Sequence, residues 1–167
     1  MEEVFANIIN FSNYQISNLG NVKNISTNKV LKPTIASDGY HCLTLYNEGK
    51  AKWFKIHRIV ATSFLGNPEA KTQIDHIDRN ILNNSVVNLR WATHAENQRN
   101  KGRAINNKSG ITGVYQLRGK GSWHAFICIN GCKVILGQFK NKDDAINARK
   151  QAEIIHYGAF VPILQLN

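Results

Sequence analysis

Short runs of alternating apolar and polar residues dominate the first third of the chain, and each run ends at turn-forming residues. A period of two is typical of β-strands that bury one face. The runs over 40–46 and 53–56 flank an Asn-Glu-Gly turn and predict a hairpin. Apolar residues then recur at helical spacing over about 57–65, and Gly66 follows as a helix stop. We therefore predict a β-rich module over residues 1–68.

The pattern then changes. It predicts a strand over 73–76, a polar loop over 78–85, a return strand over 87–92 and a helix from Thr93 onward. Thr93 and Glu96 have the spacing of a capping box, in which each side chain bonds a backbone amide at the start of a helix. Side chains alternate along a strand, so Asn88 and Arg90 share one face of the return strand. The order of elements predicts a compact ββα unit over residues 69–100.

The last third begins with a basic linker, residues 101–110, which is rich in Gly, Asn and Lys. Alternating runs and an Asn-Gly turn then predict three strands and a helix, over 113–117, 123–129, 133–139 and 142–157. The helix is expected to bury a stripe made of Ala145, Ala148, Ala152 and Ile155. Residues 111–167 are thus predicted to form a three-stranded antiparallel sheet packed on one helix, and the chain as a whole is predicted to be α+β.

Positive charge is concentrated in the C-terminal part of the chain. The net charge is +10, and residues 1–97 carry ten Lys or Arg against eight Asp or Glu, whereas residues 98–167 carry eleven against three. Between Arg99 and Lys142 there are nine basic side chains and no acidic one. Such a surface favours a polyanion as the partner. A basic face that is merely solvated is the alternative.

Hydropathy and cysteine usage bear on where the protein is found. No run of eighteen apolar residues is present, and the first residues lack the basic-then-apolar order of a signal peptide. We therefore expect a cytoplasmic protein without a membrane partner. The three cysteines are an odd number without the spacing of a disulfide framework, which predicts reduced thiols.

Four polar residues in the predicted ββα unit have a spacing that indicates chemistry. Asp75 and His76 are adjacent, Asn88 follows His76 by twelve residues, and Asn97 follows Asn88 by nine. Phosphodiester hydrolysis needs a hard cation, oxygen ligands to hold it and a base that activates water. Asp75 offers a carboxylate oxygen and Asn97 an amide oxygen. His76 offers a base with an ordinary pKa of about 6.5.

This set of residues resembles the HNH homing endonucleases of the phage and intron-encoded type, in the form where the last His of the name is replaced by Asn. The matching stretches are 74–80, 83–84, 88–93 and 96–97. The resemblance implies that Asp75 and Asn97 bind one Mg²⁺ or Mn²⁺ and that His76 is the general base. It also implies that Asn88 braces the loop and orients His76.

The flanking segments carry resemblances of their own. Residues 11–65 resemble the modular motif that commonly precedes HNH homing nucleases. Residues 111–159 resemble the DNA-binding domain of plant ethylene-response factors, whose exposed sheet face enters the major groove. The corresponding face here holds Tyr115, Leu117, His124, Phe126, Cys128, Lys133 and Ile135. The plant positions are rich in Arg, so we expect fewer guanine contacts here, with apolar contact to thymine methyl groups as the substitute.

These considerations nominate a set of DNA-contacting residues. Four of them, Tyr115, His124, Phe126 and Lys133, form the predicted reading face. The predicted phosphate contacts are Arg99, Lys101, Arg103 and Lys108 in and before the linker, and Arg118 and Lys120 in the turn beside the sheet. Arg90 shares a face with Asn88, where it either holds a phosphate or faces solvent.

Taken with the resemblance, these features lead us to expect a site-specific DNA endonuclease that acts as a monomer on double-stranded DNA. One metal site cuts one strand at a time, so a nick is the expected product unless the protein dimerises or rebinds and cuts both strands. Its modules are a β-rich module (1–68), an HNH ββα-metal unit (69–100), a basic linker (101–110) and a DNA-binding domain (111–167). Two alternatives stay open. One is a catalytically silent DNA-binding regulator on an HNH scaffold, against which the complete set of four polar residues argues. The other is a protein that binds or cuts RNA.

Overall fold

The computed structural model describes residues 1–101, 107, 109–117 and 121–161. Short antiparallel sheets and a few helices make up this part of the chain, which confirms the predicted α+β class. The chain divides into two compact units, unit 1 over residues 1–98 and unit 2 over residues 99–167. Each unit is described by itself.

Unit 1 begins with seven short strands, β1 (Phe5–Ile8), β2 (Phe11–Ser17), β3 (Val22–Asn24), β4 (Lys29–Val30), β5 (Thr34–Ile35), β6 (His41–Asn47) and β7 (Lys50–Lys55). The first four form one antiparallel sheet in sequence order, and the next three form a second. Glu48 and Gly49 join β6 to β7 with φ angles of 50° and 74°. Positive φ at both turn residues matches the twist of the paired strands, so the predicted hairpin is confirmed.

Helix α1 (Ile56–Phe64) follows β7 directly. Leu65 ends the helix with an extended backbone, at φ −109° and ψ 123°. The helix therefore ends one residue before the predicted limit of about 65, and Gly66 follows directly after its cap residue, as predicted. The unit is completed by β8 (Gln73–His76), β9 (Leu89–Ala92) and α2 (His94–Arg99).

One hydrophobic core serves all of unit 1. Helix α1 buries Ile56, Ile59, Val60 and Ala61 in its centre. The strands around the helix add Ile8, Phe11, Tyr14, Ile16, Val22, Leu43, Leu45, Ile74 and Leu89. The sequence analysis assigned residues 1–68 to one module and the following residues to a separate ββα unit. In the structure, both segments share a single core.

The return strand of the ββα unit is shorter than the sequence pattern predicts. Residues Val86–Asn88 form a 3₁₀ turn, and β9 begins at Leu89. The Asn88 N–H donates to the Ser85 carbonyl at 2.9 Å, and the Asn88 carbonyl accepts from the Ile77 N–H at 2.8 Å. Asn88 therefore closes the loop from a turn and does not stand on the strand.

Unit 2 contains β10 (Val114–Gln116), β11 (Trp123–Ile129), β12 (Cys132–Phe139) and α3 (Lys142–Tyr157). The strands pair antiparallel in sequence order, as predicted. Asn130 and Gly131 form the turn between β11 and β12, with φ angles of 50° and 81°. Ala125 and Ile127 of β11 are buried in two small clusters with Ala145 and Ala152 of α3. The sheet therefore packs one face on the helix.

The buried face of α3 differs from the predicted one. Ile155 is 73% exposed, so its place in the buried stripe is wrong. Arg149 and Glu153 are buried instead, with 2.7 Å between Arg149 Nε and Glu153 Oε1. Arg149 also donates to the Phe126 carbonyl. These bonds compensate both charges, which is the condition for burying them.

The cysteines are free thiols, with Cys42 buried and Cys128 and Cys132 exposed. Among the helices of the described ranges, none has both the length and the apolar character needed to cross a bilayer.

Candidate active site

The pairing of β8 with β9 sets the frame of the site. Asp75 lies opposite Arg90 and His76 lies opposite Leu89 in this antiparallel pair. Asp75 and His76 are both only 4% exposed. Two adjacent polar residues are thus held in a nearly closed environment on the edge of a hydrophobic core, where each needs a partner.

Arg90 provides that partner for Asp75. Its Nε and Nη2 atoms lie 2.8 and 2.7 Å from Asp75 Oδ2. The guanidinium compensates the buried carboxylate and fixes its orientation. In the structure, the Arg90 side chain thus points at Asp75. The contact between Arg90 and a DNA phosphate that the sequence suggested stays a prediction.

Asn97 is oriented by a residue that the sequence reasoning missed. Asn97 lies in α2, and its Nδ2 atom donates to Gln73 Oε1 at 2.8 Å. Because the nitrogen is engaged, the Oδ1 atom is the part of the amide that can act as a ligand. Gln73 lies two residues before Asp75 on β8, so the period of two along a strand could have indicated that the two side chains share a face.

Asn88 braces the polar loop through both ends of its amide. Its Oδ1 atom accepts from the Asp78 N–H at 2.9 Å. Its Nδ2 atom donates to Asp78 Oδ1 at 2.8 Å and to the Asn83 carbonyl at 2.9 Å. These bonds join the start of the loop to its end. The side chain is directed at Asp78 and Asn83, so any effect of Asn88 on the orientation of His76 is transmitted through the loop.

Asp78 belongs to the loop itself, as its position predicts. It accepts hydrogen bonds from the Asn80 N–H at 2.8 Å and from Asn83 Nδ2 at 2.7 Å. Burial acts to raise the pKa of Asp78, but hydrogen bonds from Asn83, Asn80 and Asn88 outweigh it and lower the pKa. The carboxylate is therefore charged and committed to the turn.

Two aromatic rings pack against His76. The His57 ring lies edge to face with it at 5.2 Å between centroids, and the Tyr40 ring is 5.9 Å away. Burial lowers the pKa of His76, while the Asn84 side chain and the Asp78 and Asp75 carboxylates act in the opposite direction. The net lowering keeps His76 neutral at neutral pH, which is the form that accepts a proton.

His57 is the second residue of the site that the sequence analysis does not identify. It is 6% exposed, and its Nδ1 atom is buried without a hydrogen bond to any described residue. Burial lowers its pKa to about 3, and the neighbouring charges of His76, Lys55 and Arg58 add to the effect. No local signal indicates this contact, since His57 and His76 are nineteen positions apart.

The residues present fit a hard divalent cation. Asp75 supplies a buried carboxylate, and Asn97 supplies an amide whose oxygen is selected by Gln73. Oxygen donors of these two kinds are those that Mg²⁺ accepts, and this ion usually keeps water and phosphate oxygens as its other ligands. In the described ranges, no group of three His, Cys, Asp or Glu side chains is placed to hold a metal.

Comparison with known families identifies this part of the chain. Residues 54–99, which contain all four site residues, match the HNH endonuclease family, and residues 3–46 match the NUMOD4 motif. The chain contains an HNH endonuclease domain. A NUMOD4 motif precedes that HNH domain, so both resemblances are confirmed. The motif ends at residue 46, however, and residues 54–65, which the sequence analysis gave to it, belong to the HNH match.

Phage endonucleases are among the similar proteins. DNA endonuclease I-HmuI of Bacillus phage SP01 is 45% identical over 92 residues, which are 53% of this chain and 53% of that protein. H-N-H endonuclease F-TflII of Escherichia phage T5 is 38% identical over 89 residues, 52% of this chain and 46% of that protein. The chain thus spans about half the length of these relatives.

A solved structure is similar in fold to part of this chain. The structure described as DNA binding and cleavage by the HNH homing endonuclease I-HmuI has a TM-score of 0.54 and 42% sequence identity. The match covers 60% of this chain and 57% of the other. The similarity confirms the fold, and the roles of individual residues in the HNH domain stay predictions.

The other residues predicted to contact DNA lie at the end of the HNH match and in unit 2. Tyr115, His124, Phe126 and Lys133 come together on the sheet face of unit 2 that points away from α3. Arg99 lies over the ring of Tyr157 at 4.4 Å, and Lys101 is exposed. Four other predicted contacts lie outside the described residues, namely Arg103, Lys108, Arg118 and Lys120. The resemblance of unit 2 to a plant DNA-binding domain stays a prediction.

Proposed function

We propose that this protein is a DNA endonuclease that hydrolyses phosphodiester bonds of double-stranded DNA with a divalent metal, Mg²⁺ or Mn²⁺. The observation that carries the proposal is the buried Asp75–His76 pair, with Arg90 on Asp75 and His57 on His76, inside an HNH domain. HNH nucleases generally use a divalent metal. The similarity to I-HmuI, a homing endonuclease, supports DNA as the substrate.

Asp75 and Asn97 are the residues that would hold the metal. Bound there, a divalent cation would supply electrostatic stabilisation of the negative charge that develops on the phosphate and on the leaving oxygen. Arg90 keeps the Asp75 carboxylate in one orientation, and Gln73 does the same for the Asn97 amide. Both ligands are therefore set in place before the substrate arrives, which lowers the cost of binding.

His76 would move the proton. An unprotonated ring nitrogen of His76 takes a proton from water while the water oxygen bonds to phosphorus in line with the leaving 3′ oxygen. The bond from phosphorus to that oxygen then breaks, and the released 3′ oxygen takes a proton from solvent water. This gives 5′-phosphate and 3′-hydroxyl ends, the products that the family resemblance implies. Packing by His57 and Tyr40 keeps the ring neutral and fixed.

We propose that a single site of this kind nicks one strand and that the protein acts on DNA as a monomer in the cytoplasm. Unit 2 would supply binding and site preference. Between Arg99 and Lys142, unit 2 carries nine basic side chains and no acidic one. Counterion release from the DNA backbone converts such charge into affinity.

The decisive experiment measures nicking of a supercoiled plasmid by the full chain. We expect cutting with Mg²⁺ or Mn²⁺ and none with EDTA. His76→Ala should abolish cutting with DNA affinity nearly unchanged, because His76 activates water and does not bind DNA. His156→Ala is the matched control, since His156 is an exposed residue of α3 far along the chain from the HNH domain. Undiminished cutting in EDTA would exclude the metal mechanism, and undiminished cutting by His76→Ala would exclude His76 as the base.

The same assay separates the two alternatives. A DNA-binding regulator on an HNH scaffold would retain affinity for duplex DNA and show no Mg²⁺-dependent nicking. An RNA nuclease would cut RNA of the same sequence and leave DNA intact. We expect cleavage of duplex DNA only.

Removal of residues 99–167 tests the contribution of unit 2. Each phosphate neutralised by Lys or Arg adds about 0.9 to the slope of log affinity against log salt concentration. We expect the truncated protein to bind DNA more weakly, with a slope lower by several units, and to nick residually at low salt. An unchanged slope would mean that the basic segment is only a solvated surface.

A further inference from the structure

The turn between β2 and β3 packs against residues of the HNH domain. We name it the motif turn and define it as residues 17–21, which lie inside the NUMOD4 motif. Ser17 and Asn18 are buried. Ser17 Oγ accepts from the Asn21 N–H at 3.0 Å, and Asn18 Oδ1 accepts from the Val4 N–H at 3.0 Å. The turn is therefore held in one shape by hydrogen bonds of its own side chains.

One backbone hydrogen bond joins the motif turn to the end of the polar loop. The Asn18 carbonyl accepts from the Val86 N–H at 2.8 Å. Val86 begins the 3₁₀ turn that ends at Asn88, and the Asn88 carbonyl accepts from the N–H of Ile77, the residue after His76. The motif turn thus supports the segment that holds the end of the strand carrying His76.

Gly20 lies between two parts of the site. Its φ is 92°, and a Cβ atom at this position would lie 2.9 Å from Asn84 Cβ and 3.3 Å from Ile56 Cγ2. Carbon atoms in contact are normally about 3.5 to 4.0 Å apart. Asn84 is buried in the polar loop, and Ile56 begins α1 and precedes His57, whose ring packs on His76. A residue without a Cβ atom therefore lets the polar loop and α1 approach the turn this closely.

The polar groups of the motif turn are engaged within unit 1. The Gly20 N–H donates to the Ser17 carbonyl at 3.0 Å, and Asn18 Nδ2 donates to the Glu2 carbonyl at 3.0 Å. Recognition of DNA needs donors and acceptors that face its backbone or a groove. The hydrogen bonds of the motif turn are directed into the protein, so they indicate support of the site rather than contact with DNA.

We infer that the motif turn is a positioning element for the proposed base, in which Gly20 and Asn18 set the spacing between the polar loop and α1 and thereby hold the His76 ring in place. The inference rests on the proposed nuclease function and adds residues outside the HNH match on which the rate of cleavage depends. A positioning element acts on the reaction step and not on DNA binding. A change in the turn should therefore lower the rate at saturating DNA and leave the affinity unchanged.

Substitution of Gly20 by Ala tests the spacing. The new Cβ atom presses on Asn84 and Ile56, so single-turnover nicking at saturating DNA and Mg²⁺ should slow by about ten-fold or more. Gly49→Ala is the matched control, because Gly49 has a φ of 74° but a Cβ atom there meets nothing within 4 Å. This control bears a similar backbone strain and should keep the natural rate. Circular dichroism gives the folded fraction, by which each rate is divided.

Two backgrounds assign the effect to the contact between Gly20 and Asn84. Asn84→Ala and Asn84→Gly both lack the amide, and only Asn84→Ala keeps the Cβ atom that lies 2.9 Å from the new one. Adding Gly20→Ala should slow Asn84→Ala further and slow Asn84→Gly much less. An equal effect in the two backgrounds would contradict the inference.

A second variant tests the backbone hydrogen bond and does not depend on Gly20. Val86→Pro removes the N–H that donates to the Asn18 carbonyl. Val86 is the first residue of its 3₁₀ turn, a position that suits proline, and Ser85 before it already has the extended backbone that proline requires, at ψ 136°. This variant should fold and nick slowly, with DNA affinity unchanged. A natural rate in Val86→Pro would overturn the inference.

The same variants separate this inference from the proposed function. If both glycine variants slow cleavage equally, or if Gly20→Ala loses DNA affinity and keeps its rate at saturation, the inference is wrong although the protein is a nuclease. If the natural sequence does not nick, the proposed function is wrong, and the ring resonances of His76 in NMR spectra decide the inference. They should move in Gly20→Ala and stay in place in Gly49→Ala, and unmoved resonances in Gly20→Ala would refute it.

Discussion

His57 and His76 pack edge to face, with ring centroids 5.2 Å apart and 73° between the ring planes. They come from different elements, His57 from the first turn of α1 and His76 from the end of β8. Tyr40 covers both rings, at 4.7 Å from His57 and 5.9 Å from His76. The proposed base is therefore positioned by a ring that has no direct part in the proposed chemistry.

The first prediction concerns this positioning. His57→Ala should slow cleavage by about ten-fold or more, because a small displacement of a reacting group is costly. His57→Phe keeps a ring against His76 and should retain most of the rate. Single-turnover nicking with saturating Mg²⁺ measures the effect, and DNA affinity serves as the control. Equal rates for His57→Ala and the natural sequence would show that the packing is unimportant for His76.

The pKa of His57 gives a prediction about stability. Its pKa is about 3 in the folded protein and about 6.5 without the fold. Between these values the unfolded chain binds a proton that the folded chain does not, so the free energy of unfolding falls as the pH falls. The slope from this one group is on the order of one kcal/mol per pH unit.

Replacing His57 by Phe should make that dependence shallower. Urea unfolding between about pH 7 and about pH 4.5 measures the difference in slope between the two proteins. Carboxylates that titrate in the same pH range contribute equally to the slopes of both proteins, so their contributions cancel in the comparison. Parallel curves would mean that His57 is protonated in the folded state.

Arg90 carries the third prediction. Arg90→Ala leaves the buried Asp75 carboxylate without its guanidinium and should cost about 3 kcal/mol of the free energy of unfolding. Added Mg²⁺ should then raise the melting temperature of Arg90→Ala more than that of the natural sequence, because an uncompensated carboxylate gains more from a cation. Calorimetry with and without Mg²⁺ measures both effects. No greater response of the variant would argue that Asp75 does not bind the metal.

A fourth prediction concerns the loop. Asn88→Ala removes three hydrogen bonds within a buried turn, one that the Asn88 side chain accepts and two that it donates. The expected loss is about 2 kcal/mol of the free energy of unfolding, since Asp78 and the Asn83 carbonyl lose their partners. Urea unfolding is the measurement, and Asn147→Ala, at an exposed position of α3, is the matched control. A similar loss in both variants would contradict the bracing role.

The sequence predicted those features whose hydrogen bonds or backbone angles depend on a few neighbouring residues. The capping box forms as predicted, with Thr93 N–H donating to Glu96 Oε2 at 2.7 Å and Glu96 N–H donating to Thr93 Oγ1 at 3.2 Å. Both hairpins whose turns hold two residues at positive φ were also predicted, because few residue types tolerate that backbone.

Contacts between distant residues were beyond such signals. The predicted set Asp75, His76, Asn88 and Asn97 left out the side chains that hold it, namely Gln73, Arg90 and His57. The buried Arg149–Glu153 pair was missed for a different reason, because these two residues are only four positions apart in one helix. A charged residue in a helix is normally exposed, and only the fold shows which one finds its partners inside.

The single core of unit 1 has a consequence for how such proteins recombine. A genetic crossover near residue 68 would separate Ile59 and Val60 from Ile74 and Leu89, which pack together, so neither product would inherit a complete interior. A crossover after Gln98 leaves both interiors whole. Shuffling between genes of this kind should therefore preserve the first 98 residues as one inherited block and exchange the segment after Gln98, which separates the proposed cleavage chemistry from the proposed choice of target.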